Sequence, residues 1–138
     1  MTERVTLPRP LVISLLHQAQ SRPEFEVCGL IGARGNVPTG LYPIENVASD
    51  PRHRFCLDPK GQIEAMRTMR ERGEKLFAVY HSHPSASPFP SAEDMTAIAY
   101  PEALILIISL NTKGTLQMRG FRPQGCTAEE VTLAVEES

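Results

Sequence analysis

The stretch "LFAVYHSHPSASPFPSAED", residues 76–94, decides how this chain is read. It opens with a continuous apolar run, Leu76 to Tyr80, rich in aromatic and β-branched side chains, which is the composition of a strand covered on both faces. That strand runs directly into His81 and His83. Imidazoles at i and i+2 of an extended backbone lie on the same face, so one cation can be shared between them. Pro84, Pro88 and Pro90 then stiffen the turn away from the strand, and Ser91 and Asp94 stand three apart where "SAEDMTAIAY" predicts the start of a helix. Two neutral imidazoles and one carboxylate, with water in the fourth position, form the open tetrahedral set of a catalytic zinc. Each piece taken alone is ordinary. An H-x-H pair is often a polar strand end, and Ser-x-x-Asp is close to a capping box whose task is to satisfy helix N–H groups.

A second run of the same kind, "ALILIISL" at residues 103–110, follows the expected helix. Two such runs predict central strands of one sheet, with the histidines at a strand end, where folds of this type place their chemistry. Upstream, Leu11, Val12, Leu15, Leu16 and Ala19 form a helical stripe with Pro8 and Pro10 at its start. "VCGLIGARGNVPTGLYPI" predicts two strands joined at "ARGN", since Gly and Asn accept the positive φ of a tight hairpin turn. "DPKGQIEAMRTMRERG" predicts a second helix, capped by Asp58, with Pro59 in its first turn, Ile63, Met66 and Met69 on one side, and a stop at Gly73. "GTLQMRGF" and "EEVTLAVEE" alternate more clearly, with Val131, Leu133 and Val135 on one side, and predict strands nearer an edge. The expected fold is α/β, a mixed sheet flanked by helices, with residues 1–138 as a single domain.

Composition narrows the partners. The net charge is -2 and basic residues are interleaved with acidic ones, as in "RTMRERGEK", which argues against nucleic acid. "MTERVTLPRP" lacks the apolar core of a secretory signal and no apolar run is long enough for a bilayer, so the expectation is a cytoplasmic protein without a membrane partner. Cys28, Cys56 and Cys126 form no C-x-x-C pair and no even set; they are read as reduced, with Cys28 a small buried apolar residue.

The string His81-x-His83, seven residues, Ser91, two residues, Asp94 matches in full the H-x-H-x7-S-x2-D motif of the JAMM (MPN+) metalloprotease family, and the chain resembles that family over most of its length. The family also carries a glutamate on an earlier strand, in a context similar to E-x-C-G-L, and "EVCGL" supplies Glu26. Alone, Glu26 would read as a solvated loop residue. The resemblance implies an MPN/JAB fold, layered like cytidine deaminase, in which His81, His83 and Asp94 ligate one zinc ion. It further implies that Glu26 activates the attacking water and shuttles its proton, and that Ser91 helps hold the oxyanion. The same serine hydroxyl can cap the helix, a competing use. Ser82, expected on the opposite face from the histidines, has no assigned role. A cytidine deaminase itself is excluded, because its H-x-E and P-C-x-x-C signature is absent.

Members of the family cleave peptide or isopeptide bonds after the C-terminal glycines of ubiquitin-like proteins. The short spacing around the motif leaves little room for the insertions of eukaryotic deubiquitinating members and is more similar to the small prokaryotic ones, as is the character of "IENVASDPRHRFCLDP". The leading expectation is processing of a sulfur-carrier protein whose tail ends in Gly-Gly. Deconjugation of a ubiquitin-like modifier from lysines is the alternative within the class, and a non-catalytic binding module is the alternative outside it. Oligomeric state is not legible in the sequence.

Overall fold

A computed structural model of the chain describes residues 3–96, 100–110 and 117–136. Seven strands and three helices follow one another as β1 (Arg4–Leu7), α1 (Arg9–Ser21), β2 (Cys28–Arg34), β3 (Val37–Ile44), α2 (Pro59–Glu71), β4 (Lys75–His83), α3 (Ala92–Thr96), β5 (Leu104–Ser109), β6 (Gln117–Gln124) and β7 (Thr127–Val135). The strands form one mixed sheet in the order β1-β7-β6-β5-β4-β2-β3. Its two parallel pairs are β4 with β5 and β1 with β7; the others are antiparallel.

The two apolar runs are the centre, as expected. Every residue of β5 is buried, and β4 passes from an exposed Lys75 to buried residues from Tyr80 through His83. A strand can be apolar throughout only if both faces are covered; here α1 covers one face, α2 covers the other face of β4, and on that side Ile105 and Ile107 of β5 pack with Phe121 and Ala128. Leu15 and Ala19 of α1 pack with Ala78, Tyr80, Leu104, Leu106 and Ile108. Ala65 and Met69 of α2 pack with Cys28, Leu30, Ile44 and Leu57, with Val79 against them. The alternation along β4 therefore turns Ala78 and Tyr80 toward the α1 side and Val79 toward the α2 side. His81 and His83 continue the parity of Val79.

Local chemistry sets the element ends. Asp58 accepts from the Gly61 N–H at 3.2 Å and Pro59 opens α2. Gly73, at φ 70°, ends it, and Gly35, at φ 61°, makes the two-residue turn between β2 and β3.

Three details differ from expectation. Ile63 is 62% exposed rather than part of the buried side of α2. Buried Ala65 and Met69 set the direction of the core, and at about 100° per residue Ile63 lies roughly 140° around the helix from their midpoint. β6 and β7 do lie toward one side of the sheet, but the edge belongs to β1, four residues too short for a period to stand out in the sequence. Val131 is buried, Leu133 is partly buried against the core, and Val135 is 43% exposed where β7 runs past it. Of the predicted helix "SAEDMTAIAY", residues 97–99 lie outside the described residues, as do residues 114–116 of "GTLQMRGF" and residue 137 of "EEVTLAVEE".

Candidate metal centre

The C-terminal end of β4 carries His81 and His83 on one face. The antiparallel register pairs Cys28 of β2 with His81, so Glu26, two residues earlier, falls beside His83. Glu26 is not on a strand. It lies in the irregular segment that leads into β2. After His83 the proline-rich turn returns the chain to α3, whose first turn presents Asp94. Two polar anchors shape this turn: the buried Ser109 hydroxyl donates to the Ala86 carbonyl at 2.7 Å, and His83 Nδ1 pairs with the Ser87 carbonyl at 2.7 Å.

The fold thus gathers Glu26, His81, His83 and Asp94, whose candidate ligand atoms all lie within 4.8 Å of one another. Three of them form a nearly equilateral triangle. His81 Nε2 and His83 Nε2 are 3.1 Å apart, and Asp94 Oδ2 stands 3.2 Å from the first and 3.1 Å from the second. Bonds of about 2.0–2.1 Å at tetrahedral angles put ligand atoms roughly 3.3 Å apart, so the triangle has the dimensions of three ligands of one zinc ion. The cluster is compatible with one such ion.

Two further observations fit a cation. His83 Nδ1–H donates to the Ser87 carbonyl and so turns Nε2 toward the cluster, the orientation typical of a metal-ligating imidazole. Glu26 is 4% exposed, His81 1%, His83 3% and the Asp94 side chain 8%. Two carboxylates and two imidazoles buried side by side are a donor set that a divalent cation satisfies.

Burial and the short contacts shift the protonation of these side chains. For Asp94, burial opposes the charge, but the hydrogen bonds to His81 and His83 outweigh it and hold the carboxyl well below the usual range. His81 is lowered as well, since burial lowers it more than Asp94 raises it. Burial also acts to lower His83, but Asp94 and the Ser87 carbonyl together hold it above its ordinary value. Phe55 stacks on the His81 ring, with centroids 4.3 Å apart and planes at 21°, and fixes its orientation.

Ser91 and Asp94 form a reciprocal cap: Asp94 N–H donates to Ser91 Oγ at 3.0 Å, and Ser91 N–H donates to Asp94 Oδ2 at 2.8 Å. The cap uses a lone pair of the serine hydroxyl and leaves its proton to donate elsewhere, so the two uses foreseen for Ser91 draw on different ends of one group. Sequence reasoning missed Phe55 and Asn46. Asn46 bonds the Glu26 carbonyl at 2.9 Å and the Arg54 carbonyl at 3.1 Å through Nδ2, and accepts from the Ala48 and Cys56 N–H groups through Oδ1. Both residues lie in "IENVASDPRHRFCLDP", whose general character was the only signal. Cys28 is buried as expected, and burial, with the nearby Glu26 and Cys56, pushes its thiol up to about 12; all three cysteines are free.

A mixed α/β sheet with a histidine pair at a strand end, a helix-start aspartate and a buried glutamate beside them defines a metal-dependent hydrolase of the JAMM (MPN+) type. A family model described as prokaryotic homologs of the JAB domain matches residues 8–121, and the chain belongs to that family. It is similar to a desampylase from Haloferax volcanii, with 31% identity over 120 residues covering 86% of this chain and 84% of the relative. It is also similar to a CysO-cysteine peptidase from Mycobacterium tuberculosis, at 27% identity over 124 residues, 88% of this chain and 84% of the relative. The solution structure of a protein from Desulfitobacterium hafniense superimposes with a TM-score of 0.86 at 30% identity, covering 97% of this chain and 94% of that one.

Proposed function

We propose that this hydrolase cleaves the bond following the C-terminal Gly-Gly of a ubiquitin-like protein, and that its physiological substrate is a sulfur-carrier protein in the cytoplasm. The observation that carries the catalytic part is the triangle of His81, His83 and Asp94 ligand atoms with the Glu26 carboxylate within 4.8 Å of them. In this reading His81, His83 and Asp94 hold zinc through Nε2, Nε2 and Oδ2. Bound there, zinc lowers the pKa of a coordinated water toward about 7 and polarises a carbonyl. Glu26 takes the proton of the attacking water on its carboxylate and delivers it to the departing amine nitrogen, general base and then general acid. The Ser91 hydroxyl donates to the oxygen that gains charge as the carbonyl is attacked.

The substrate class is supported by the relatives, one named for acting on CysO-cysteine and another as a desampylase. A Gly-Gly tail suits a deep site because glycines let an extended backbone approach closely. An open cleft of about 460 Å³ is lined by Glu26 with Arg22, Phe25, Pro43 and Asn46, while His81, His83 and Asp94 do not line it. A larger cleft of about 590 Å³ lies over β6 and β7, and no residue of the cluster lines it. The setting suits a chain with three free thiols.

The test incubates the zinc-loaded protein with a sulfur carrier extended beyond Gly-Gly and follows the carrier mass, with Glu26→Gln as control. Shortening to Gly-Gly by the wild type alone is the expected result. Faster turnover of a lysine-linked isopeptide replaces carrier processing with deconjugation, the reading that the desampylase likeness favours. Tight binding of the carrier without cleavage makes the protein a binding module.

A further inference from the structure

Glu26 stands on irregular backbone, yet every main-chain polar group from Phe25 to Val27 has a partner. The Phe25 N–H donates to the Arg22 carbonyl at 3.2 Å and the Glu26 N–H to the Pro51 carbonyl at 2.8 Å. The Glu26 carbonyl accepts from Asn46 Nδ2 at 2.9 Å. The remaining groups are satisfied by one residue, Ser82. Its N–H donates to the Val27 carbonyl at 2.9 Å, its Oγ accepts from the Val27 N–H at 2.9 Å, and its O–H is directed at the Phe25 carbonyl at 3.4 Å.

In a regular antiparallel pair the Val27 N–H would return to the Ser82 carbonyl. Here the serine hydroxyl takes that bond, so the chain leaves the β2–β4 ladder at Val27 while staying tied to β4. Ser82 is fully buried and lies between His81 and His83 with its side chain on the other face. A side chain in that place reads the position of the histidines through three covalent bonds of its own strand and grips the peptide units on both sides of Glu26.

We propose that Ser82 is a positioning residue: its hydroxyl fixes where the Glu26 carboxylate stands relative to the histidine pair. The inference rests on the reading of Glu26 as the base. An alanine leaves the Val27 N–H buried without its acceptor and frees the segment carrying Glu26 to shift, and a misplacement of about 1 Å costs on the order of a hundredfold in rate. Threonine keeps the hydroxyl.

The experiment compares zinc-loaded wild type, Ser82→Ala and Ser82→Thr on a carrier extended past Gly-Gly, recording kcat and KM, zinc affinity by chelator competition, thermal unfolding, and hydrogen exchange at the Val27 amide. Ser82→Ala is expected to lose kcat by roughly ten- to a hundredfold with KM and zinc affinity unchanged, and to exchange Val27 faster. Ser82→Thr is expected to recover most of the lost kcat. An unchanged kcat in Ser82→Ala overturns the proposal, as does a zinc affinity that falls in step with kcat. So does a Ser82→Thr that unfolds like the wild type but turns over like the alanine. If the wild type cleaves no carrier, the functional reading fails instead. The clamp is then decided by Val27 exchange and the position of Glu26 in a Ser82→Ala structure, where an unmoved Glu26 refutes it.

Discussion

At the scale of single residues, the proposed roles separate holding a metal from using it. Asp94→Asn removes the anionic corner of the triangle that both imidazoles face. It should weaken zinc binding by at least about a hundredfold, since even loss of an outer partner of a ligand costs 10–100-fold. Glu26→Gln should keep zinc and lose activity by on the order of 10²–10⁴, the usual contribution of a general base. Zinc content and kcat measured on both variants check the division; parallel losses in Glu26→Gln would make that residue a ligand. The directions of the ligand shifts also fix a pH dependence. Asp94, held low, stays anionic, and His81, pushed below 6.5, stays neutral, so His83, raised above 6.5, is the ligand for which protons compete. Apparent zinc affinity should be full well above neutrality and fall as pH drops through the raised His83 value. Chelator competition from pH 8 to pH 5.5 reads this, and an affinity flat down to pH 5.5 contradicts it.

At the scale of elements, β2 pairs with β3 on one side and β4 on the other, and Gly29 leaves the room that the β3 backbone and the Tyr80 side chain of β4 occupy beside it. A Cβ there would stand 2.5 Å from the Tyr42 carbonyl and 2.5 Å from the Tyr80 hydroxyl. Gly29→Ala should destabilise the protein by about 1–3 kcal/mol, the usual cost of overpacking, measured as a lower denaturant midpoint. It should also lower activity, because Gly29 sits in the ladder that carries the chain to Glu26. The elements themselves were largely legible in the sequence. Both helices, the hairpin and the two central strands follow from period, caps and turn glycines, all local properties. β1 was not legible, because four residues before a proline carry too little period. Its place at the edge comes from a parallel partnership with β7, more than a hundred residues away.

At the scale of the whole molecule, the centre is assembled from two distant parts of the chain: the segment before β2, and the stretch from the end of β4 to the start of α3. A cation bound there ties them together and binds only the folded form. Free zinc at a hundred times its Kd should therefore raise stability by about 2.7 kcal/mol. Thermal unfolding with and without zinc should show a clear upward shift in the wild type and none in Asp94→Asn. No helix among the described residues is long and apolar enough to cross a membrane.

The sequence by itself determined the ligand chemistry and its order, because H-x-H alternation, the proline-rich turn and the helix-start Ser-x-x-Asp are short-range patterns that the backbone reads within about fifteen residues. It named Glu26 only by resemblance, since nothing local distinguishes that glutamate from a solvated one. The tertiary structure decided the rest. The register of β2 on β4 buried Glu26 beside His83, a long-range contact brought Phe55 onto His81, and Ser82, turned away from the site, became the tether of the segment that carries the carboxylate. Those relations depend on distances between residues far apart in the chain, and only packing of the sheet sets such distances.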